Sequence, residues 1–158
     1  MIPERSGSTR DTVGEDDTLG ELLLALGGRL TRLQTEILAT LDPPLTIRQY
    51  RILSRVGSGY TSLTALCKLA HRNPSTMSQS VDKLVQLDLL TRTTAEHSRR
   101  TMHLALTPRG QEVQAAGARA LRKFTDDLTA GIPADLQSRM LPVVNRLFHD
   151  LQGSLDDH

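Results

Sequence analysis

The sequence predicts a mainly α-helical chain of the α+β class, with six helices and one two-stranded β-hairpin. Apolar residues recur at intervals of three and four along most of the chain, which is the spacing of amphipathic helices. Between residues 89 and 106 the period falls to two, which indicates a pair of strands. The chain has 158 residues, of which 38% are hydrophobic and 23% charged, a composition typical of one folded domain with its own core.

The N-terminal part is predicted to be a tail followed by one long helix. Residues 1–16 are rich in Ser, Thr, Gly and acidic residues, so we expect them to be flexible. An apolar stripe from Leu19 to Leu41 predicts a helix that begins after Asp17 or Thr18 and ends before a Pro-Pro pair. The stripe is too apolar to stay exposed, and the polar face is not Lys-rich as in a membrane-surface helix. We therefore assign residues 17–44 to a dimerisation helix.

The next three helices are predicted to be short. The second spans residues 46–56 and is followed by the loop Gly57-Ser58-Gly59. The third lies near residues 62–71, and the fourth begins at Asn73-Pro74, where Asn caps a helix and Pro suits its first position. The inward-facing residues of the third and fourth helices are predicted to be Leu63, Leu66, Cys67, Ala70, Met77, Val81, Leu84 and Val85.

A hairpin and two further helices complete the pattern. Residues 91–94 and 102–106 predict two strands joined by a polar connection. Thr107-Pro108 begins the fifth helix, and the sixth carries an apolar stripe over residues 136–151. Pro142 lies inside that stripe and is expected to bend or break the helix, because proline removes an intrahelical hydrogen bond and clashes with the preceding turn.

A bihelical unit followed directly by a β-hairpin is the arrangement of a winged helix-turn-helix, in which the hairpin is the wing. Residues 45–107 are therefore the predicted DNA-binding region, and residues 108–158 are assigned to C-terminal dimerisation helices. Several short motifs follow one another along these elements. They are Leu45-Thr46 with Gln49, Leu66, Pro74-Ser75-Thr76-Met77-Ser78, Val81-Asp82-Lys83-Leu84, Leu89-Leu90-Thr91-Arg92, Ser98-Arg99-Arg100 and Leu106-Thr107-Pro108-Arg109-Gly110. With these motifs the chain resembles the multiple-antibiotic-resistance-regulator (MarR) family of transcription regulators.

The resemblance implies a two-fold dimer whose first and last helices interlock and whose two winged lobes straddle the major groove. Three residues depart from the family pattern. Ser98 stands where the family usually has Asp, which puts the rigidity of the wing tip in question. Asp88 replaces the usual Gly at the end of the fourth helix, and Asp accepts left-handed backbone better than most residues. Gln79 replaces a frequent Arg or Lys, which is expected to alter base preference or weaken a phosphate contact.

The distribution of charge favours a phosphate-facing surface in the middle of the chain. The net charge is only +1, but residues 68–109 carry seven basic residues against three acidic ones, and both ends of the chain are acidic. The start of the fourth helix is predicted to contact DNA through Ser75, Thr76, Ser78, Gln79 and Lys83. Asp82 is expected to hold a nearby arginine instead. At the hairpin tip, the resemblance implies a minor-groove contact by Arg100 and a phosphate contact by Arg99.

The predicted function is a sequence-specific, double-stranded-DNA-binding transcription regulator, in most such cases a repressor, that acts as a homodimer on a pseudo-palindromic operator. The resemblance further implies that a small aromatic or phenolic ligand binds between the dimer helices and the winged lobes and releases the DNA. Its candidate lining residues are Leu26, Leu30, Ile47, Tyr50 and Arg51. The alternative is a winged helix that serves as a protein-interaction module without a DNA role.

Other functional classes have little support in the sequence. The single cysteine fits a reducing cytoplasm, and Cys67 is predicted to be a buried, inert thiol on the third helix. The five histidines are scattered without ligand spacing, so no metal is predicted. No catalytic or cofactor motif is evident, so we predict neither an enzyme nor a cofactor. No apolar run approaches the length of a membrane span.

Overall fold

The computed structural model describes residues 18–70, 73–94 and 102–156, and within them it has six helices and one antiparallel sheet. The elements in chain order are α1 (Leu19–Ala39), α2 (Ile47–Gly57), α3 (Leu63–Ala70), α4 (Pro74–Gln86), β1 (Leu90–Thr94), β2 (Met102–Leu106), α5 (Pro108–Thr129) and α6 (Ala134–Asp156). The predicted fold class and the predicted order of elements are confirmed. The tail assigned to residues 1–16 lies outside the described residues.

Local side-chain caps explain why the helices begin where the sequence predicted. Thr18 and Thr46 each form a capping box with the residue three positions further on. The side chain of Asn73 accepts a hydrogen bond from the Ser75 N–H at 2.8 Å, and Thr107 caps α5 in a similar way. Each cap satisfies an N–H group that the helix itself leaves unpaired. The starts of these helices are therefore fixed by residues within one turn of the boundary.

The hydrophobic core lies where α2, α3, α4, the sheet and the start of α5 meet. Its buried residues are Leu45, Ile52, Leu53, Val56, Leu66, Met77, Val81, Leu84, Leu89, Leu90, Leu104 and Val113. Cys67 packs against this cluster but stays partly exposed, so the prediction of a buried thiol holds only in part. Val85 was predicted to face inward and is 37% exposed, because it lies about 100° around the helix from Leu84.

The two strands of the wing are attached to the core by their inner faces. Leu90 lies opposite Leu106 in the antiparallel register, and side chains alternate between the two faces of the sheet. Leu90 and Leu104 are buried on the inner face. The Leu104 N–H also donates to the Thr61 carbonyl at 2.7 Å, so the linker before α3 extends the sheet. This bond connects the wing to the helix-turn-helix.

Two residues after the end of helix α4, Asp88 has a left-handed backbone with a φ of 56°. The Leu89 N–H donates to the Leu84 carbonyl at 2.9 Å, and the Asp88 N–H donates to the Val85 carbonyl at 3.0 Å. These are the two hydrogen bonds of a Schellman motif, and the buried Leu84 and Leu89 supply the apolar contact that accompanies it. The expectation that Asp88 takes the place of a helix-ending glycine is confirmed.

Replacing Asp88 with Gly is expected to stabilise the protein slightly. Glycine adopts left-handed backbone without the steric cost of about 1 kcal/mol that an L-residue carries, and part of this gain is offset by its greater freedom in the unfolded chain. We expect a gain of about 0.5 kcal/mol in the free energy of unfolding, measured by urea titration at one protein concentration. Asp88→Val, with a β-branched side chain, should be destabilised. Equal stability of all three proteins would contradict the argument.

The first and last helices leave most of their apolar side chains exposed. Every side chain of α6 from residue 134 to residue 151 is exposed. The large exposed apolar residues of the two helices are Leu19, Leu23, Leu24, Leu26, Leu33, Leu136, Met140, Leu141, Val143, Val144, Leu147, Phe148 and Leu151. Within the part of the chain that the structure describes, none of the helices has both the length and the hydropathy needed to cross a membrane.

Helix α6 continues through its internal proline. It is one helix from Ala134 to Asp156 with Pro142 inside it, so the expected break is wrong. A proline removes the hydrogen bond of its own missing N–H and crowds the preceding turn, but the bonds of more distant turns remain. At least two helical turns lie on each side of Pro142, and these maintain the helix.

Candidate nucleic-acid interface

Helix α4 presents one line of polar side chains to solvent, opposite the residues that it buries in the core. Ser75, Gln79 and Lys83 are exposed and follow one another at intervals of four residues, which places them on one face of the helix. Thr76 and Ser78 lie at the margins of this face and are half-buried. Of the five residues predicted to contact DNA from α4, three therefore form its most exposed line. We call Ser75, Gln79 and Lys83 the polar line.

An ion pair joins the wing to α4 beside the polar line. Arg92 Nη1 on β1 donates to Asp82 Oδ1 on α4 at 2.9 Å. The Arg92 side chain is 23% exposed, so the pair is partly shielded from water and holds the strand against the helix. The hypothesis that Asp82 holds a nearby arginine is confirmed. Arg99 and Arg100, the predicted wing contacts, lie outside the described residues.

A cleft of about 500 Å³ opens between α1, the first turn of α2 and α4. Its lining residues are Thr35, Thr46, Ile47, Arg48, Gln49, Gln79, Ser80 and Lys83. The lining includes two cationic side chains and no acidic one, and two members of the polar line belong to it. The cleft is therefore a positively charged extension of the exposed face of α4.

The residues predicted to line a ligand pocket are not brought together in this cleft. Ile47 is part of its lining, and the other four are not. Leu26 and Leu30 lie closer to the start of α1, where Leu26 is 46% exposed. Tyr50 packs against the core with its ring beside α5, and Arg51 is exposed on α2. The pocket stays a prediction about the space between this lobe and a second subunit.

The comparison with protein-family models decides what these elements are. Residues 30–110, just over half of the chain, match the model described as a winged helix DNA-binding domain. The chain belongs to the winged helix DNA-binding domain family. In such a domain α4 is the recognition helix, and the hairpin of β1 and β2 is the wing. No sequence among the curated proteins is significantly similar to this winged helix protein.

Solved structures of MarR-type proteins share the fold of this winged helix protein. A mutant of MarR from E. coli complexed with operator DNA has a TM-score of 0.68 at 18% identity, with 82% of this chain and 92% of that chain covered. FabT from Streptococcus pneumoniae in complex with DNA has a TM-score of 0.77 at 17% identity, with 85% and 95% covered. A mutant of MepR from S. aureus has a TM-score of 0.75 at 16% identity, with 85% and 99% covered. The resemblance to the MarR family is thus confirmed for the fold.

Arg48 lines the cleft but was not among the residues predicted from the sequence to contact DNA. Its neighbours Thr46 and Gln49 were noted as part of a motif, and their capping box places Arg48 at the second position of α2 with its side chain exposed. The cleft itself joins segments that lie far apart along the chain, so the spacing of residues gives no indication of it.

Proposed function

We propose that this winged helix protein is a sequence-specific, double-stranded-DNA-binding transcription regulator that acts as a homodimer in the cytoplasm and represses by occupying its operator. The observation that carries this proposal is the polar line of Ser75, Gln79 and Lys83 on the recognition helix. Ser and Gln side chains can read base edges in the major groove, and Lys can bind phosphate. Two proteins of similar fold, MarR from E. coli and FabT from Streptococcus pneumoniae, have been solved in complex with DNA, which supports a DNA role.

A homodimer is supported by the exposed apolar faces of α1 and α6. A surface of this size and composition is unusual on a monomer, and each large apolar side chain contributes about 1.5 to 3 kcal/mol when it is fully buried. A second copy of the chain, related by two-fold symmetry, covers these faces and spaces two recognition helices about one helical turn of DNA apart. The operator is then pseudo-palindromic, with Arg100 of each wing in a flanking minor groove and Arg99 on a phosphate.

We also propose that a small aromatic or phenolic ligand controls DNA binding. The ligand would bind between the dimer helices and the lobe, near Leu26, Leu30, Ile47, Tyr50 and Arg51. It releases DNA only if it binds the DNA-incompetent state more tightly than the competent one. Displacement of bound duplex by a panel of simple phenols and benzoates tests this, and an unchanged DNA affinity with every member of the panel contradicts it.

Binding to duplex DNA across a salt series tests the proposal as a whole. A duplex is first selected from random DNA with the wild-type protein, and its affinity is then measured by fluorescence anisotropy. We expect the affinity to fall roughly a thousandfold between about 50 and 200 mM salt, because several phosphates are neutralised by the protein. A protein-interaction module without a DNA role would give no selected sequence and no salt-dependent binding.

Gln79→Ala is expected to change the preferred base at one position of each half-site. Gln can make a two-point contact to adenine, and losing such a contact removes about 1 to 3 kcal/mol of discrimination against the wrong base. Selection from random DNA with both proteins measures the change. The matched control is Gln86→Ala, which removes an exposed glutamine at the far end of α4, away from the end that enters the groove. Identical preferences for wild type and Gln79→Ala would reject this role.

A further inference from the structure

The hydrogen bonds inside the cleft single out three of its polar side chains. Thr46 and Gln49 bond each other in the capping box of α2. Thr35 Oγ1 donates to a backbone carbonyl of α1, and Ser80 Oγ donates to one of α4. Among the described residues, the lining side chains with no such bond and no ion pair are Arg48, Gln79 and Lys83. All of their donor groups remain available to a ligand.

We propose that Arg48 binds a backbone phosphate of the DNA at this cleft, as a third contact beside the recognition helix and the wing. This inference rests on the proposed function and assigns a contact from α2 that the polar line does not include. A guanidinium suits phosphate because it presents parallel N–H donors to two oxygens at once. Gln79 and Lys83 line the same cleft, so a duplex that lies against the polar line also passes the cleft mouth.

The shape of the cleft favours DNA over a small free anion. Pockets for small ligands bury most of the ligand surface, whereas this cleft is wide open to solvent. An isolated anion in it would remain hydrated and exchange freely. A phosphate of a bound duplex is held in place by the other contacts of the complex, so Arg48 and Lys83 need only neutralise it. The absence of acidic residues from the lining supports the same occupant.

The salt dependence of duplex binding tests this contact. Each neutralised phosphate contributes a slope of about −0.9 in a plot of log affinity against log salt, so Arg48→Gln should flatten the slope by about 2 units for a dimer. The affinity near 0.1 M salt should fall on the order of tenfold. Arg48→Lys keeps the charge and should retain most of the slope. Thermal unfolding of each variant checks that the fold is unchanged.

Arg119→Gln is the matched control, because Arg119 is also an exposed helical arginine but lies outside the cleft and outside the basic stretch of residues 68–109. It should leave the slope and the affinity near their wild-type values. An equal change in both variants would overturn the proposal, since it would indicate a general effect of net charge. A weaker Arg48→Gln complex with an unchanged slope would also overturn it, since Arg48 would then act through the fold.

Neutral methylphosphonate linkages in the selected duplex identify the contact directly. One linkage in each half-site should weaken the wild-type complex and have no effect on the Arg48→Gln complex. If wild type binds duplex DNA with a steep slope and no linkage shows this coupling, the contact from α2 is overturned while the proposed function stands. If wild type shows no salt-dependent duplex binding, the proposed function and the contact from α2 both fail. A third outcome is that inorganic phosphate competes with the duplex for wild type but not for Arg48→Gln, while the two proteins have equal salt slopes. The cleft would then be a free-anion site, and the DNA contact would also be overturned.

Discussion

Gly110→Ala is expected to destabilise the protein by roughly 3 kcal/mol or more, because the new methyl group has no space. A Cβ at this position would lie 2.0 Å from the Leu89 carbonyl oxygen and 2.9 Å from its carbon. That carbonyl cannot retreat freely, since it accepts a hydrogen bond from the Thr107 N–H at 3.2 Å. Thr107 Oγ1 also donates to the Asp88 carbonyl at 2.6 Å. The start of α5 and the end of α4 therefore approach each other backbone to backbone.

A series of glycine substitutions turns this into a graded test by urea unfolding at one protein concentration. In Gly117→Ala, the new Cβ meets the Tyr50 ring at 2.7 Å, and a side chain can shift, so a smaller loss is expected. In Gly131→Ala, no atom beyond the neighbouring residues of the chain lies within 4 Å of the new Cβ, so the stability should be nearly unchanged. If Gly110→Ala and Gly131→Ala unfolded at the same urea concentration, α5 would not pack on Leu89 as described.

The features of the fold that the sequence predicted are those decided within a few residues. Thr46, Asn73 and Thr107 have side chains that satisfy free N–H groups one turn away, so they predict where helices start. Asp88, just after the end of α4, is a similar case. Its backbone is left-handed, and Asp adopts that conformation more readily than most residues, so the residue type itself predicts the helix end. The period of two over residues 102–106 likewise predicted the strand β2, in which Leu104 is buried. Local chemistry made each of these predictions reliable.

The features that the sequence did not predict depend on packing between distant segments. The helical spacing of Leu33, Ile37 and Leu41 in the apolar stripe of α1 passes over Leu38, yet Leu38 is 1% exposed. The connection to α2 folds back over that end of the helix, where the Leu45 N–H donates to the Leu38 carbonyl at 3.0 Å. Arg48 likewise lies beside Gln79 and Lys83 only because α1, α2 and α4 meet around one cleft.

Leu147→Glu is expected to dissociate the proposed dimer and to weaken operator binding at least a hundredfold. Leu147 belongs to the apolar face of α6, which is exposed in one chain and buried in the dimer that we propose. Two-fold symmetry places two new carboxylates in the interface, each without a partner, and an unpaired buried charge costs several kcal/mol. A rise of a hundredfold in the dimer dissociation constant needs only about 2.7 kcal/mol. Sedimentation measures the mass, and anisotropy measures the DNA affinity.

The operator affinity should follow the dimer, because each lobe alone binds only half of the site. In a dimer the second lobe binds at a high effective concentration, and a monomer loses this advantage although its polar line is intact. Asn145→Asp is the matched control, since it adds a negative charge to the exposed polar side of the same helix. Circular dichroism separates dissociation from unfolding, because no side chain of α6 from residue 134 to residue 151 is buried in the core of the lobe. If the Leu147→Glu protein still sediments as a dimer and binds with wild-type affinity, α6 is not the interface. If it is a folded monomer that binds the operator with unchanged affinity, two lobes are not needed.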